Sequence, residues 1–523
     1  MLARRIRQSL VVLFLAGLLG CNSSGSATAQ DGGATGGGTG GATGGGTGGA
    51  AGGGTGGAAG GGTGGAAGAG GAGGTTGGGG AGGGAGASGG AAGAGDAAGA
   101  GGAGGPADPR CQGAWAGDLL LGTTEDDQIL GMTVDADDNL IVSGYEHGIV
   151  GVSATNIDPD GDARAVVMKL SPAGTTLWKT VLDTAATDSA EDVAIDPVTG
   201  NLVVVGRTSG AFPTFVNQGQ FDFFVALLDP TGQTSTVFQT GNERPQHPTR
   251  LSLGTGGDVV VAGWDDTYIL TNYVVSNQDG FIAHFGIDPG PAHAVSFGSL
   301  VYTFPPAWNA PFAAANAVAA ERDGSGASYL ASLIPSNGTE HGIFVTKFQA
   351  DQTAAWNHQI STVPFDAVTA VALSPAGELY ASGGTFATLG AKAFGQEDAY
   401  VQKIDKTTGT PIWTAQAGGA DSDYPTALAF DGSGNVYVAG ITLGSVVDGV
   451  TNKGSEDIFA MKFSPTGALL GVWQRGTGSD DEITSMAVDG CGNVFVGGYT
   501  RGALVSGQAN AGGEDMFIMK VDF

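Results

Sequence analysis

The sequence predicts an all-β fold in which seven four-stranded antiparallel units close into a ring, and three observations predict it. First, a short phrase recurs down the chain. Asp431-Gly432-Ser433-Gly434-Asn435-Val436-Tyr437-Val438-Ala439-Gly440 returns around Asn139, Asn201 and Asn493, and in weaker form at 258–263, 327–332 and 378–383. Each copy is an apolar run, a tight turn and a second apolar run, which is the pattern of a β-hairpin. Second, Asn139 and Asn493 lie six steps and 354 residues apart, 59 residues per step. That spacing suits a four-stranded unit with one long loop and is long for a solenoid repeat. Third, no stretch between the strands has a helical period, which excludes crossover helices and a parallel sheet.

In chain order, the first 21 residues are a targeting signal. Arg4, Arg5 and Arg7 precede an apolar run from Leu10 to Leu19, too short to span a bilayer but suited to secretion. Leu18-Leu19-Gly20-Cys21 resembles the lipobox of bacterial lipoproteins. The resemblance implies acylation of Cys21, cleavage before it and a lipid anchor in the membrane. Asn22 follows Cys21, where an Asp resembles an inner-membrane retention signal, so the outer membrane or cell surface is the expected location.

Residues 22–110 are a linker of Gly, Ala, Thr and Ser, with Asp31, Asp96 and Asp108 as its acids and no aromatic residue. Such a stretch has nothing to bury and is expected to stay disordered, a coil with a typical span of ~50 Å.

The ring is expected over residues 111–523. Each unit opens on an Asp, at 127, 188, 366, 423 and 481, eight residues before its hairpin turn. A third strand reads Asp-x-aromatic-x-x-Lys, as in Asp398-Ala399-Tyr400-Val401-Gln402-Lys403, and Pro172, Pro230 or Pro465 marks the turn after it. The fourth strand carries an aromatic: Trp178, Phe238, Phe297, Trp356, Trp413 or Trp473. Residues 301–320, rich in Pro and Ala, read as an insertion in the fourth unit. The chain stops at Phe523, after the third strand of the seventh unit. The strand missing there lies at the other end, where 114–123 has the Trp and trailing Gly-Thr of a fourth strand. Supplying it from the N-terminal side closes the ring and removes two exposed sheet edges. These units resemble the bacterial seven-bladed β-propeller repeat, SBBP. The resemblance implies a fold and an envelope location, and no reaction.

A formal net charge of -29 disfavours nucleic acid as a partner. The recurring Asp residues point to turn capping, because a catalytic group is needed once and not in every unit. Lys169, Lys347, Lys403, Lys462 and Lys520 are expected to pair with acids along the sheet faces. Asp158, Asp160 and Asp162 alternate as a Ca²⁺ loop does but lack its distant Glu, so a solvated loop is expected. Glu125-Asp126-Asp127 and Asp480-Asp481-Glu482 are acidic runs in which some side chains should face solvent. The six His residues show no metal-ligand spacing, and neither a GxSxG elbow nor a phosphate loop is present. No catalytic, metal or cofactor-binding residue is therefore assigned. Asp405-Lys406-Thr407-Thr408-Gly409-Thr410-Pro411-Ile412-Trp413 is similar to the docking motif of quinoprotein propellers, which keeps a quinoprotein-like enzyme as an alternative.

The expected function is thus a non-enzymatic, monomeric envelope lipoprotein that presents a propeller as an interaction scaffold. A lectin-like polysaccharide binder is the other alternative. With Cys21 lipidated, Cys111 and Cys491 are the two remaining thiols, and export permits a disulfide between them. Cys491 lies in a hairpin turn of unit seven, at the same end as the start of the strand that Cys111 precedes. The loop it would close is so long that the chain-entropy model gives ~5 kcal/mol, an upper figure. Peptide mapping of the exported protein without reductant should return one Cys111–Cys491 cross-linked peptide. Recovery of both peptides as unlinked thiols would refute the clasp.

Overall fold

The computed structural model describes residues 115, 117–148, 163–254, 257–268, 276–288, 295–302, 316–334, 342–363 and 365–523. It is an all-β propeller of seven four-stranded sheets. Among the described residues no helix is long and apolar enough to cross a membrane. Cys21, Cys111 and Asp158–Asp162 lie outside the described residues.

Blade six shows how the repeat becomes a sheet. Its strands are Asp423–Phe430, Val436–Thr442, Asp457–Phe463 and Leu469–Arg475, each antiparallel to the next. The hairpin between the first two turns on Asp431, whose Oδ1 accepts from the N–H of Ser433 and of Asn435, both at 2.9 Å. Gly434 takes φ +78° there, a conformation that a side chain disfavours. The second strand is buried throughout and the fourth is partly exposed, so burial falls toward the outer edge of the blade.

The first strands touch one another in sequence round the ring, from Gln128–Val134 of blade one to Asp481–Val488 of blade seven and back. Each major core is shared by neighbouring blades. Ala439 and Ile458 of blade six pack with Val496 and Phe517 of blade seven, and Ile129 and Met132 of blade one pack with Phe495 and Ile518 of blade seven.

Two devices lock adjacent blades. The opening Asp caps the link into the first strand of blades one, two, six and seven, as the repeat predicts. Asp188 accepts from Thr184 N–H at 2.7 Å and Oγ1 at 2.9 Å, and Asp481 accepts from Thr477 N–H at 2.6 Å and Oγ1 at 2.9 Å. Asp366 takes Thr385 Oγ1 at 2.8 Å and Phe386 N–H at 2.7 Å. At the far rim, the Trp of a fourth strand crosses to the next blade's turn. Trp178 Nε1 donates to Pro230 O at 3.3 Å and Trp413 Nε1 to Pro465 O at 3.1 Å. The quinoprotein-like segment is one of these turns: Trp356 Nε1 of blade four donates to Lys406 O at 3.1 Å, and Asp405 Oδ1 caps Thr407 and Thr408.

Closure by the N-terminal strand is observed. Leu119–Leu121 pairs antiparallel with Asp515–Val521, Leu119 opposite Ile518 and Leu121 opposite Met516. The strand is shorter than the stretch 114–123 in which it was expected. Asp118 ties it down, its Oδ2 2.8 Å from Arg475 Nη1 and its Oδ1 accepting from Lys520 N–H at 3.2 Å. Trp115 stands edge-on to Phe495, ring centroids 4.9 Å apart.

Two expectations need correction. Residues 295–302 complete blade three and 316–322 open blade four, so regular strands occupy both ends of the expected insertion. Residues 303–315 lie outside the described residues. Lys169, Lys403 and Lys462 do face Asp135, Glu378 and Asp431, but Lys347 Nζ donates to the Lys406 carbonyl at 3.1 Å instead. Phe297 lies in the fourth strand of blade three, as expected, and is 41 % exposed. In the acidic runs Glu125 is exposed, as expected of some of these side chains, and Glu482 is buried against the Tyr499 hydroxyl.

Deleting residues 111–123 removes the strand that covers Met516–Val521 and leaves a free edge rich in Met, Ile and Phe. The expected result is aggregation and a lowered melting temperature. Unchanged melting and solubility would count against closure as a stabilising device.

Candidate functional site

The strand ends divide the propeller into two faces. One carries the short turns between strands one and two and between strands three and four. The other carries the longer loops between strands two and three and the links between blades, and there the seven units differ most.

The axis is built from bulges. In six first strands the register skips one residue, at Leu130, Glu191, Thr249, Val318, Thr426 and Thr484. A bulge re-aims its side chain. Thr426 Oγ1 donates to Ile483 O at 2.5 Å, stitching blade six to blade seven, and Thr484 Oγ1 donates to Ile129 O at 2.5 Å, stitching seven to one.

Blades two and three depart from this pattern. Glu191 Oε1 sits 2.9 Å from Arg207 Nε and accepts from Ser189 Oγ at 2.5 Å. Arg207 Nη1 lies 2.7 Å from His247 Nδ1, and the His247 ring stacks on Trp264 with centroids 3.8 Å apart. Arg207, His247 and Trp264 are all buried. From blade three, Arg250 reaches across the axis to Leu130 O at 3.5 Å on blade one and Thr484 O at 3.3 Å on blade seven. Asp192 stands behind it with Oδ2 accepting from Leu251 N–H at 2.9 Å. Burial raises the Asp192 carboxyl above its usual range while the Arg250 charge opposes that. A guanidinium therefore lies across the axis at this level. The Ser189 hydroxyl donates to Glu191 and His247 faces the Arg207 guanidinium, so the set links blade two to blade three.

The opposite sector is acidic. Glu514 Oε2 accepts from Gln128 Nε2 at 2.5 Å, and Arg501 pairs with its other oxygen. Burial and then Asp126 raise its pKa, with Arg501 pulling the other way. Glu397 is 1 % exposed, and its Oε1 has no hydrogen-bond partner among the described residues. Burial, reinforced by Asp366, Asp423 and Asp398, pushes its pKa up to about 9.

On the turn face, Cys491 lies between Asp138 and Asp489, the three ligand-type atoms within 4.8 Å of one another. Both carboxylates are occupied by the turn: Asp138 Oδ1 accepts from Gly490 N–H at 2.8 Å, and Asp489 Oδ1 from Cys491 N–H at 2.9 Å. Asp138 thereby ties blade one to blade seven, and Asp489 caps its own turn.

Among the described residues the exposed aromatic side chains of the loop face lie on blade five, while Val216 of blade two and Leu443 of blade six are exposed aliphatic ones. Phe365, Phe386 and Phe394 are 36 %, 41 % and 39 % exposed. None of them, nor the network around Arg207, was assigned from the sequence. Each signal is a departure from the repeat, visible only once equivalent positions are aligned by the sheets.

Residues 412–445 and 468–504 match the β-propeller repeat SBBP, which falls in blades five to seven. No curated protein matches the chain. Sqt1 from Chaetomium thermophilum is similar in structure, at 14 % identity over 76 % of this chain and 87 % of that one, TM-score 0.39. So are a Hadza microbial sialidase, at 9 % identity over 69 % and 73 % with TM-score 0.37, and an ulvan lyase of a new polysaccharide lyase family, at 7 % identity over 67 % and 79 % with TM-score 0.39. Such remote likeness carries no argument about activity.

Glu397 generates a pH prediction. Its folded pKa of about 9 exceeds the ordinary 4.5, so the unfolded chain binds fewer protons between those values and stability falls as pH rises. The penalty is absent below the unfolded pKa and reaches about 3 kcal/mol at pH 7, as an upper figure. Glu397→Gln should therefore raise the melting temperature at about pH 8 and leave it nearly unchanged at about pH 4. An equal gain at both would show that ionisation is not the cause.

Proposed function

We propose that the chain is a non-catalytic scaffold of the bacterial envelope, anchored in the outer membrane or at the cell surface through lipid on Cys21. It carries its propeller on the linker 22–110 as a monomer and binds through the loop face. The observation that carries this reading is how the buried polar groups are used. Arg250 lies across the axis, and Arg207, Glu191 and His247 engage one another and tie blade two to blade three. The loop face, by contrast, offers exposed aromatic side chains on blade five. Cofactor chemistry finds no support in the quinoprotein-like segment, since Lys406 and Gly409 receive the blade-four Trp.

A clasp between Cys111 and Cys491 belongs to the same proposal. The Trp115–Phe495 contact brings the chain four residues after Cys111 against a residue four after Cys491. A disulfide there would fasten the tether to the turn face and leave the loop face turned toward partners.

A lectin-like reading is favoured by one observation, the exposed aromatics of blade five. Anchoring is tested by fractionation. Wild-type protein should sediment with membranes and carry acyl mass, and Cys21→Ser should appear in the soluble fraction. A Cys21→Ser protein that still sediments, beside a wild type without acyl mass, would overturn the anchored reading.

A further inference from the structure

We propose that the loop face of blade five is a glycan-binding platform made by Phe365, Phe386 and Phe394 with Lys392, and that its ligand is a polysaccharide of neutral pyranose units. The proposal deepens the lectin-like reading above and rests on it.

Each of the three rings replaces a polar or small residue of the repeat. Phe365 precedes the opening Asp, where other blades have Asp126, Thr187, Ser422 and Asp480. Phe394 lies four residues before the Asp of the third strand, where others have Gln218, Lys453 and Ala511. Phe386 follows the second strand, where others have His147, Ser209 and Arg501, though blade six has Leu443. Blade structure needs no aromatic at any of these positions, since the other blades form without one.

The backbone is strained to present them. Phe365 takes φ +74°, a left-handed conformation that is an outlier for a bulky side chain. Burial does not compensate, because the ring is more than one-third exposed. The other two rings are held by their backbones. Phe386 N–H donates to Asp366 Oδ1 at 2.7 Å, Phe394 N–H to Asp398 Oδ2 at 2.7 Å, and Gln416 Nε2 fixes the same Asp398 oxygen at 2.8 Å. Phe365 and Phe386 meet edge to face with centroids 6.4 Å apart, and Lys392 Nζ stands 4.1 Å from the Phe394 centroid. The result is an edge-to-face pair of part-exposed rings and, on the same blade, a third part-exposed ring with a cation over one face.

Charge and area choose the ligand. A chain of net charge -29 repels polyanions, which sets aside nucleic acids and acidic polysaccharides. A stable protein interface buries roughly 800 Å² on each side, far more than three half-exposed phenyl rings supply. A pyranose ring fits: its C–H face carries partial positive charge and meets the negative face of an aromatic ring, while its hydroxyls bond polar groups at the edge. The Lys392 ammonium is such a group, with three donors and no acceptor.

The test uses the full mature chain carrying Cys21→Ser, so that it is soluble without detergent. Cello-, manno- and xylo-oligosaccharides serve as probes, with hyaluronate as the polyanionic control, in titration calorimetry. At least one neutral series should bind and hyaluronate should not. Phe386→Ala and Phe394→Ala should each weaken binding tenfold or more with melting unchanged, and Phe365→Gly should weaken binding while melting is unchanged or raised, because the strain is relieved. Binding by the Phe386→Ala/Phe394→Ala double variant equal to that of the parent, or binding to hyaluronate alone, would overturn the platform. So would the absence of binding to every neutral probe. Membrane anchoring of the wild type is read separately, so the platform can fail while the scaffold reading stands.

Discussion

One hydrogen bond, repeated round the ring, fixes how the blades meet. The backbone N–H of the residue that opens a first strand donates to the carbonyl of the residue just before the third strand of the preceding blade. Asp188 reaches Ala163 at 2.9 Å, Gln246 reaches Phe221 at 2.9 Å and Asp423 reaches Glu397 at 2.7 Å. Asp127 reaches Glu514 at 2.6 Å, so blade one meets blade seven by the same bond although nearly the whole chain separates them. The carboxylate of the opening Asp then holds the link that delivers the strand. Burial raises Asp188 and Asp423 to about 6, against hydrogen bonds from threonine hydroxyls and backbone N–H groups that favour the charged form. These bonds explain why an Asp recurs there and why a Thr stands four residues before several of them.

Shared cores make closure necessary. No blade buries its own faces: Ala439 of blade six needs Val496 of blade seven, and Phe495 of blade seven needs Ile129 of blade one. A solenoid solves this with capping repeats. Here a three-residue strand with Trp115, Leu119 and Leu121 packed behind it completes the last blade. It lacks the Gln that blades two, five and six carry in strand four. In those blades Gln239, Gln416 and Gln474 reach the third-strand Asp and clamp the long loop. In blade seven the loop supplies the amide instead: Gln508 accepts from Leu120 N–H at 3.1 Å and donates to Asp118 O at 3.0 Å.

Much of this was legible in the sequence because it repeats. The hairpin around Asn435, the structural Asp residues and the displaced fourth strand all follow from a pattern read many times over. What repeats once per blade as a lone polar residue was not legible. Gln416 looks like any exposed Gln until the sheet places it beside Asp398, and Thr426 gives no sign that it sits at a bulge facing the next blade. Arg250 had no local signal, since its partners on blades one and seven are 120 and 234 residues away. Which acids of a run face solvent was not legible either, since sequence pattern does not report that the Tyr499 phenol lies across the hairpin from Glu482.

In a pseudo-symmetric ring, a feature common to all units serves the ring and a feature confined to one unit needs another cause. Two such features stand out, and burial separates them. Around Arg207 the unusual side chains are enclosed and engage one another, the guanidinium with Glu191 and His247, and the His247 ring with Trp264. That set replaces the threonine stitch with an ion pair and can be understood wholly as packing. On blade five the unusual side chains are exposed, and Phe365 holds a disfavoured backbone conformation without burying its ring. Strain of that kind beside exposed rings is the feature on which the proposed platform rests.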